Sequence, residues 1–434
     1  MTSIDPGPAG LLEELRWRGM FHAASAGLED RLASGRPIAG YNGFDPSGPW
    51  LHIGNLVPIF GLIHLQRHGG RPVVLVGGGT GMIGDPSGRA AGERQLLDRE
   101  TLAANVASQR EQLGRFLHFG TGPADAEMVN NLDWLGELEV IDFLRDTGKH
   151  FTVPYMLAKD SVQLRLERGL SYTEFSYMLL QAVDFEHLYR VHGVEMQMGG
   201  ADQWGNITAG LELIRRKGGA AEGEALAYAL SYPLLLAPSG AKFGKSEGGE
   251  SIWLSAEGTP PFAFYQHWLN TDDRDMAVYL RWFTTLSADE VARLEAEVAS
   301  NPGARAAQRW LAKDLTTRVH GEAAAEAAVR DSEALFAPEP IRDPVVFERL
   351  HGSVGGFTLE PAAVSAGAAA ALAAAGLFSS NGEARRMIQN GGITVNGEPL
   401  RDPAAPLPAA IGGAWYEVRI GKRRRELGRI AATR

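Results

Sequence analysis

The sequence predicts a doubly wound α/β fold followed by an α-helical subdomain and a small α+β unit. Three observations predict it. The run Val73-Val74-Leu75-Val76-Gly77 is unbroken apolar sequence, suited to a strand buried on both faces of a parallel sheet. Strand-like and helix-like segments alternate as far as residue 217, which is the pattern of a doubly wound sheet. After residue 260 the pattern turns helical, and past Ala337-Pro338-Glu339-Pro340 it becomes Gly- and Ala-rich, marking a domain boundary.

Taken in order, residues 8–34 carry helical spacing of apolar positions, and residues 38–44 read as a strand leaving a tight turn. A helix is expected after His52. Further strands are expected near 127–130 and 194–198, with helices at 173–192 and 203–217. Amphipathic runs at 288–299 and 304–319 belong to the helical part. The end holds a helix stopped by Gly391-Gly392, a short strand and an Asn396-Gly397 turn. The domain limits expected are 1–245, 246–336, a linker at 337–366, and 367–434.

A chain of 434 residues exceeds a single core, and its 44% hydrophobic and 22% charged content excludes disordered and fibrous classes. Cysteine is absent, which removes disulfides, thiolate-bound metal and a Cys nucleophile. The first 18 residues mix acidic and basic side chains where a secretion signal needs an apolar core, so a cytosolic protein is expected. Residues 361–380 carry no charge but are mostly Ala, which fits a linker entering a helix and not a membrane span. The net charge of −10 argues against general nucleic-acid binding. Its distribution says more: from residue 361 onward there are ten Arg or Lys against five Asp or Glu, leaving −15 for the rest. A basic end on an acidic body points to a polyanion held at one place.

Two short segments carry the chemistry. His52-Ile53-Gly54-Asn55 lies between an expected strand and helix, where free backbone N–H groups and an imidazole can hold phosphate oxygens. Gly54 lets a nucleoside approach the backbone closely. Lys242-Phe243-Gly244-Lys245-Ser246 is a Gly-flanked loop whose two ammonium groups can meet charge developing on a triphosphate. Alone, the first is a His capping a helix and the second a solvated charged turn. Together they form the two halves of an adenylate-forming ATP site.

Tyr177, Gln181 and Asp184 are spaced i, i+4 and i+7, so they share one helix face and can line a pocket. Flanking Phe175, Leu179, Leu180 and Phe185 favour burial, and a ligand would then supply the missing hydrogen bonds. The alternative is a polar helix edge in water. The segment from Gly79 to Gly84 matches the G-x-G-x-x-G dinucleotide pattern, but Asp85-Pro86-Ser87-Gly88 follows and extends a loop, which argues against NAD. Asp85 is better placed to hold a substrate ammonium. Asp202, in Gly200-Ala201-Asp202-Gln203, is expected to cap the following helix and to meet a ribose, with Gln203 toward the substrate.

These segments resemble those of the bacterial tyrosyl-tRNA synthetases, a family of class I aminoacyl-tRNA synthetases, over nearly the whole chain. Residues 52–55 resemble the HIGH signature, with Asn55 at its second His, and residues 242–246 the KMSKS signature, with Gly244 at its first Ser. Residues 41–46, 84–88, 175–181 and 200–206 resemble further family segments in the same order. The resemblance implies a nucleotide-binding catalytic domain and, at the end, an RNA-binding domain of the ribosomal-protein type. It implies that Tyr41 and Asp184 hydrogen-bond the tyrosine hydroxyl, while Asp85, Tyr177 and Gln181 meet its ammonium. His52, Ser47, Lys242 and Lys245 would stabilise the transition state, with Asn55 and Ser246 beside them in the two signatures. Gly43, Asp45, Gly54, Asp202 and Lys245 would hold ATP, and one of Asn130 and Asn131 would support the tyrosine pocket. Arg385, Arg386 and Asn396 would contact RNA. The implied partners are L-tyrosine, ATP carrying Mg²⁺, tRNA(Tyr) and a second copy in a homodimer, with no protein-held metal. A tryptophan enzyme and a non-catalytic RNA-binding paralogue are the alternatives.

Overall fold

The computed structural model describes residues 7–84, 97–159, 162–163, 166, 169–221, 223–236, 243, 251–421 and 424–431. Asp85, Lys242, Lys245 and Ser246 lie outside the described residues. The chain divides into two compact units: Met1–Gly258 with Asn270–Leu311, and Thr259–Leu269 with Ala312–Arg434. The segment expected as one helical subdomain, 246–336, is therefore shared between both units.

The first unit is built on six strands: β1 (Ala23–Ala24), β2 (Ala39–Phe44), β3 (Arg71–Val76), β4 (Glu127–Asn130), β5 (Met196–Gly200) and β6 (Tyr228–Tyr232). Their order is β1-β6-β5-β2-β3-β4, and all but the antiparallel β1–β6 pair run parallel. In β3, Val73, Val74 and Val76 are fully buried, as an apolar run without alternation requires. β2 pairs with β3 on one side and β5 on the other, so the strand order reverses there and the carboxyl ends open a crevice.

Four helices frame that crevice: α1 (Leu56–Arg67), α2 (Arg99–Leu113), α3 (Tyr172–His192) and α4 (Trp204–Lys217). α3 begins at Ser171, whose side chain and that of Glu174 cap each other's backbone N–H, and ends at Gly193 with a left-handed φ of 61°. α1 lies tight on the sheet, because a Cβ at Gly61 would overlap the Tyr232 ring.

The second unit contains α5 (Glu322–Phe336), α6 (Pro344–Val354), α7 (Asn381–Gln389) and a small sheet. Its strands β7 (Phe357–Leu359), β8 (Ile393–Val395), β9 (Glu398–Pro399), β10 (Trp415–Ile420) and β11 (Arg424–Ile430) are ordered β7-β11-β10-β8-β9. Leu372, Ala384, Ile388, Ile393, Val395, Tyr416 and Val418 form the core under α7. The expected linker at 337–366 is corrected: it holds α6, β7 and a short helix at Pro361–Val364. Composition misled there. Pro344 sits in the first turn of α6, where a missing N–H is tolerated, and Phe347 and Leu350 are buried against Leu335, Ile341 and Leu427.

Candidate active site

Tyr41 comes from β2, and the pleat turns its ring inward against Phe185, with centroids 5.4 Å apart. Its hydroxyl is buried and finds no hydrogen-bond partner among the described residues. Burial, and then the charge of Asp184, hold the Tyr41 phenol well above its ordinary pKa. Asp184, on α3, is 1% exposed. Its Oδ2 accepts from Asn131 Nδ2 at 2.9 Å and its Oδ1 from Trp134 Nε1 at 2.8 Å. Burial pushes the Asp184 carboxyl up to about 7, the two N–H donors oppose that rise, and the Asp45 charge adds to it. A buried hydroxyl without a partner beside a carboxylate held from behind is a socket for a ligand hydroxyl.

The two asparagines hold different groups. Asn131, 0% exposed, bonds Asp184, and it also donates to Thr80 Oγ1 at 3.0 Å while accepting the Gly79 N–H at 2.7 Å. Asn130 accepts the backbone N–H groups of Gly78 and Leu132 instead. Trp134 is held in turn by His187, whose ring stacks on it at 4.3 Å.

Thr80 donates to Asp45 Oδ1 at 2.9 Å, and the Tyr177 hydroxyl donates to Asp45 Oδ2 at 3.0 Å. Residues expected to meet different substrates, Tyr177 for the ammonium and Asp45 for adenosine, are thus bonded to each other. Gly77 is required here, since a Cβ would overlap Asp45 and Thr80. The face predicted on α3 exists, with Tyr177 and Asp184 buried and Gln181 partly exposed.

His52 caps the turn that enters α1. Its Nδ1 accepts the Gly54 N–H at 2.9 Å, and Asn55 Oδ1 accepts the His52 N–H at 3.0 Å. An accepting Nδ1 puts the ring proton on Nε2, so the imidazole presents an N–H donor at its far edge. The capping reading and the phosphate reading are compatible. The preceding loop is held by α2: Asn105 donates to the Pro46 carbonyl at 3.1 Å, Gln109 to Gly48 at 2.9 Å and Gln112 to Pro49 at 3.1 Å. Gln112 also accepts the Leu51 N–H at 3.0 Å. Sequence reasoning missed these three, although their i, i+4, i+7 spacing matches that of the α3 face.

Of the lysine segment only Phe243 is among the described residues. Phe243 stacks on Phe283 at 5.2 Å, and Phe283 meets Phe60 of α1 at 5.9 Å. Past the loop, Trp253 forms a β-bridge with His52, and the Ile53 N–H donates to the Ile252 carbonyl at 3.0 Å. The chain at Ile252 and Trp253 is therefore fixed beside the His52 segment.

Gly43 and Ser47 are exposed at the carboxyl edge of β2. Gln203 accepts from Asn206 at 3.1 Å. Two expectations are corrected. Asp202 does not cap α4: it lies inside a short 3-10 turn, Ala201–Gln203, and is exposed. Asn396 is 7% exposed and ties its turn to the chain beyond it, donating to the Ala409 carbonyl and accepting the Glu417 N–H, so its side chain is spent inward on the fold. Its φ of 52° is a left-handed value that Asn tolerates before Gly397. Arg385 and Arg386 are exposed on α7.

The family described as tRNA synthetases class I (W and Y) matches residues 33–337, and the S4 domain matches residues 369–409. The tyrosine–tRNA ligase of Bacillus caldotenax is 49% identical over 427 residues, spanning 97% of this chain and 100% of that one. This chain belongs to the tyrosyl-tRNA synthetase family. Among solved tyrosyl-tRNA synthetases, the truncated mitochondrial enzyme of Aspergillus nidulans is 28% identical over 75% of this chain and 94% of its own, with a TM-score of 0.67. A tryptophanyl-tRNA synthetase from Encephalitozoon cuniculi shares the fold at 15% identity and a TM-score of 0.51, over 74% of this chain and 91% of its own.

Proposed function

We propose that this chain activates L-tyrosine with ATP and transfers it to the 3′ end of tRNA(Tyr). The tyrosine carboxylate attacks the α-phosphorus of ATP and releases pyrophosphate; a terminal ribose hydroxyl of the tRNA then takes the tyrosyl group from the adenylate. No enzyme nucleophile is needed, since positioning and phosphate electrostatics carry the first step. The observation that carries the reading is the buried Tyr41 hydroxyl beside an Asp184 carboxylate already accepting on both oxygens. A phenol O–H entering there donates to Asp184, and its oxygen accepts from Tyr41. A site built for a hydroxyl rejects a ligand without one, a logic for which tyrosyl-tRNA synthetases are themselves the standing example.

In this reading the imidazole of His52, with Ser47 and Asn55, meets the phosphates from one side, and Lys242, Lys245 and Ser246 meet them from the other. Gly43, Asp45, Gly54 and Asp202 flank adenosine, and Asp85, Tyr177, Gln181 and Gln203 surround the amino acid. Mg²⁺ arrives on the phosphates of ATP as part of the substrate. Arg385 and Arg386 contact tRNA. A homodimer is supported by four exposed apolar side chains close in sequence, Val140, Ile141, Leu144 and Val153, 48–70% exposed. No described helix is long and apolar enough to cross a membrane, and the proposed work lies with translation in the cytoplasm. Charging of tRNA(Tyr) with labelled tyrosine tests the whole reading. Folded protein that charges no tRNA in the presence of ATP would refute it and favour a non-catalytic RNA-binding paralogue.

A further inference from the structure

We propose that Glu417, with Arg419 and Arg425, is a positioning latch that fixes the chain after α5 to the β10–β11 sheet and so sets how the terminal module presents tRNA. This rests on the reading of residues 369–409 as an RNA-holding module.

Glu417 is 0% exposed and receives three donors: Arg419 Nε at 2.6 Å on Oε1, and Arg425 Nη2 and the Ile341 N–H, each at 2.7 Å, on Oε2. The guanidinium groups continue outward to the backbone. Arg425 Nη1 donates to the carbonyls of Leu335 at 2.6 Å and Ala337 at 3.0 Å. Arg419 donates to Pro338 at 2.7 Å and Glu339 at 2.9 Å. Carbonyls at the end of a helix have no partner within it, and Arg425 satisfies those of Ala334 and Leu335. A second attachment lies one turn back on α5, where buried Asp331 accepts from Arg349 at 2.5 Å and Ser353 at 2.9 Å, both on α6.

Two features separate this cluster from the module's own core. Tyr416 and Val418 belong to the core under α7, and side chains alternate along a strand, so Glu417 projects from the opposite face of β10. Arg419 and Arg425 sit directly opposite each other across β10 and β11, a like-charge pair whose charge the Glu417 carboxylate meets between them. A buried ion cluster is a weak source of stability compared with apolar packing, but it holds one geometry. The segment from 337 to 341 is thereby a bracket, fixed by side chains from two strands.

The test uses the full chain with Glu417→Gln and, separately, Arg419→Ala, whose side chain is 29% exposed and safer for folding. Three measurements are made on each: tyrosine-dependent pyrophosphate exchange, aminoacylation of tRNA(Tyr), and amide hydrogen exchange by mass spectrometry. Expected are unchanged exchange kinetics, a KM for tRNA raised about tenfold, since a loosened module lowers the effective concentration of its RNA contacts, and faster amide exchange at 337–343 with 393–420 still protected. An unchanged KM for tRNA once 337–343 has opened would overturn the latch. Loss of protection across 393–420 in both variants would also overturn it, reducing Glu417 to part of the module's fold. The Arg385→Ala/Arg386→Ala variant keeps the two readings apart: if its KM for tRNA stays at the wild-type value, the RNA-holding assignment fails, whatever the latch variants do.

Discussion

Asn131 joins the loop after β3 to the carboxylate on α3: its Nδ2 donates to Asp184 Oδ2 at 2.9 Å while its Oδ1 accepts the Gly79 N–H at 2.7 Å. One buried carboxamide thus holds the backbone beside Thr80 and Asp45 in register with the carboxylate proposed to read the phenol. The tyrosine end and the Asp45 end of the site are parts of one hydrogen-bonded chain.

Asn131→Ala removes a donor from Asp184 and leaves Gly79 N–H without its acceptor. The KM for tyrosine in pyrophosphate exchange should rise by about tenfold to a hundredfold, as a lost bond to a buried charged group costs about 1.5–3 kcal/mol. The KM for ATP should stay near the wild-type value. Equal rises in both would mean that Asn131 supports the site generally and not the phenol socket.

Asp184 also predicts a pH dependence with a definite sign. Its carboxyl is raised to about 7 by burial, so between its ordinary value and 7 the folded state keeps a proton that the unfolded chain has released. Stability from this group is full below about pH 4 and is lost as pH rises to about 7, by on the order of 4 kcal/mol. Asp184→Asn lacks that slope. Thermal midpoints of wild type and variant between pH 4 and 8 should diverge in this direction, and parallel curves would remove the claim. Tyrosine affinity should move the other way in wild type, strengthening as Asp184 ionises and becomes a full acceptor.

Much of this site was legible because its residues sit at element boundaries that sequence marks clearly. The apolar run in β3 and the turn after His52 mark where a strand ends and a helix begins, and ligands gather there. Tyr177, Gln181 and Asp184 followed from helical spacing. What escaped was contact between distant segments. Nothing local says that Trp134 reaches Asp184, that Thr80 bridges Asn131 to Asp45, or that α2 grips residues 46–51 through three amides. Asn396 shows the converse: a polar residue at a turn has a backbone to satisfy before it has a ligand.

Gln112→Ala tests the grip of α2. It strips the Leu51 N–H of its buried partner, and such a loss costs about 1–3 kcal/mol. Because Leu51 precedes His52, the rate of adenylate formation should fall while tyrosine binding, measured by fluorescence titration, stays unchanged. A variant with normal kcat and a lower melting temperature would assign Gln112 to stability alone.

Lys245→Ala should slow adenylate formation by about a hundredfold or more, the scale of removing a preorganised charge from a transition state. Tyrosine binding should change little, because the lysine meets charge that develops only as pyrophosphate departs. Single-turnover kinetics separates the two. Matching losses in binding and rate would contradict the role.

The most direct test of the central claim is pyrophosphate exchange by the wild-type chain with tyrosine, phenylalanine and tryptophan in turn. A socket made by Tyr41 and Asp184 predicts strong exchange with tyrosine and neither of the others, and a loss of preference for tyrosine over phenylalanine in Asp184→Asn. Exchange with tryptophan at a rate equal to or above that with tyrosine would contradict it.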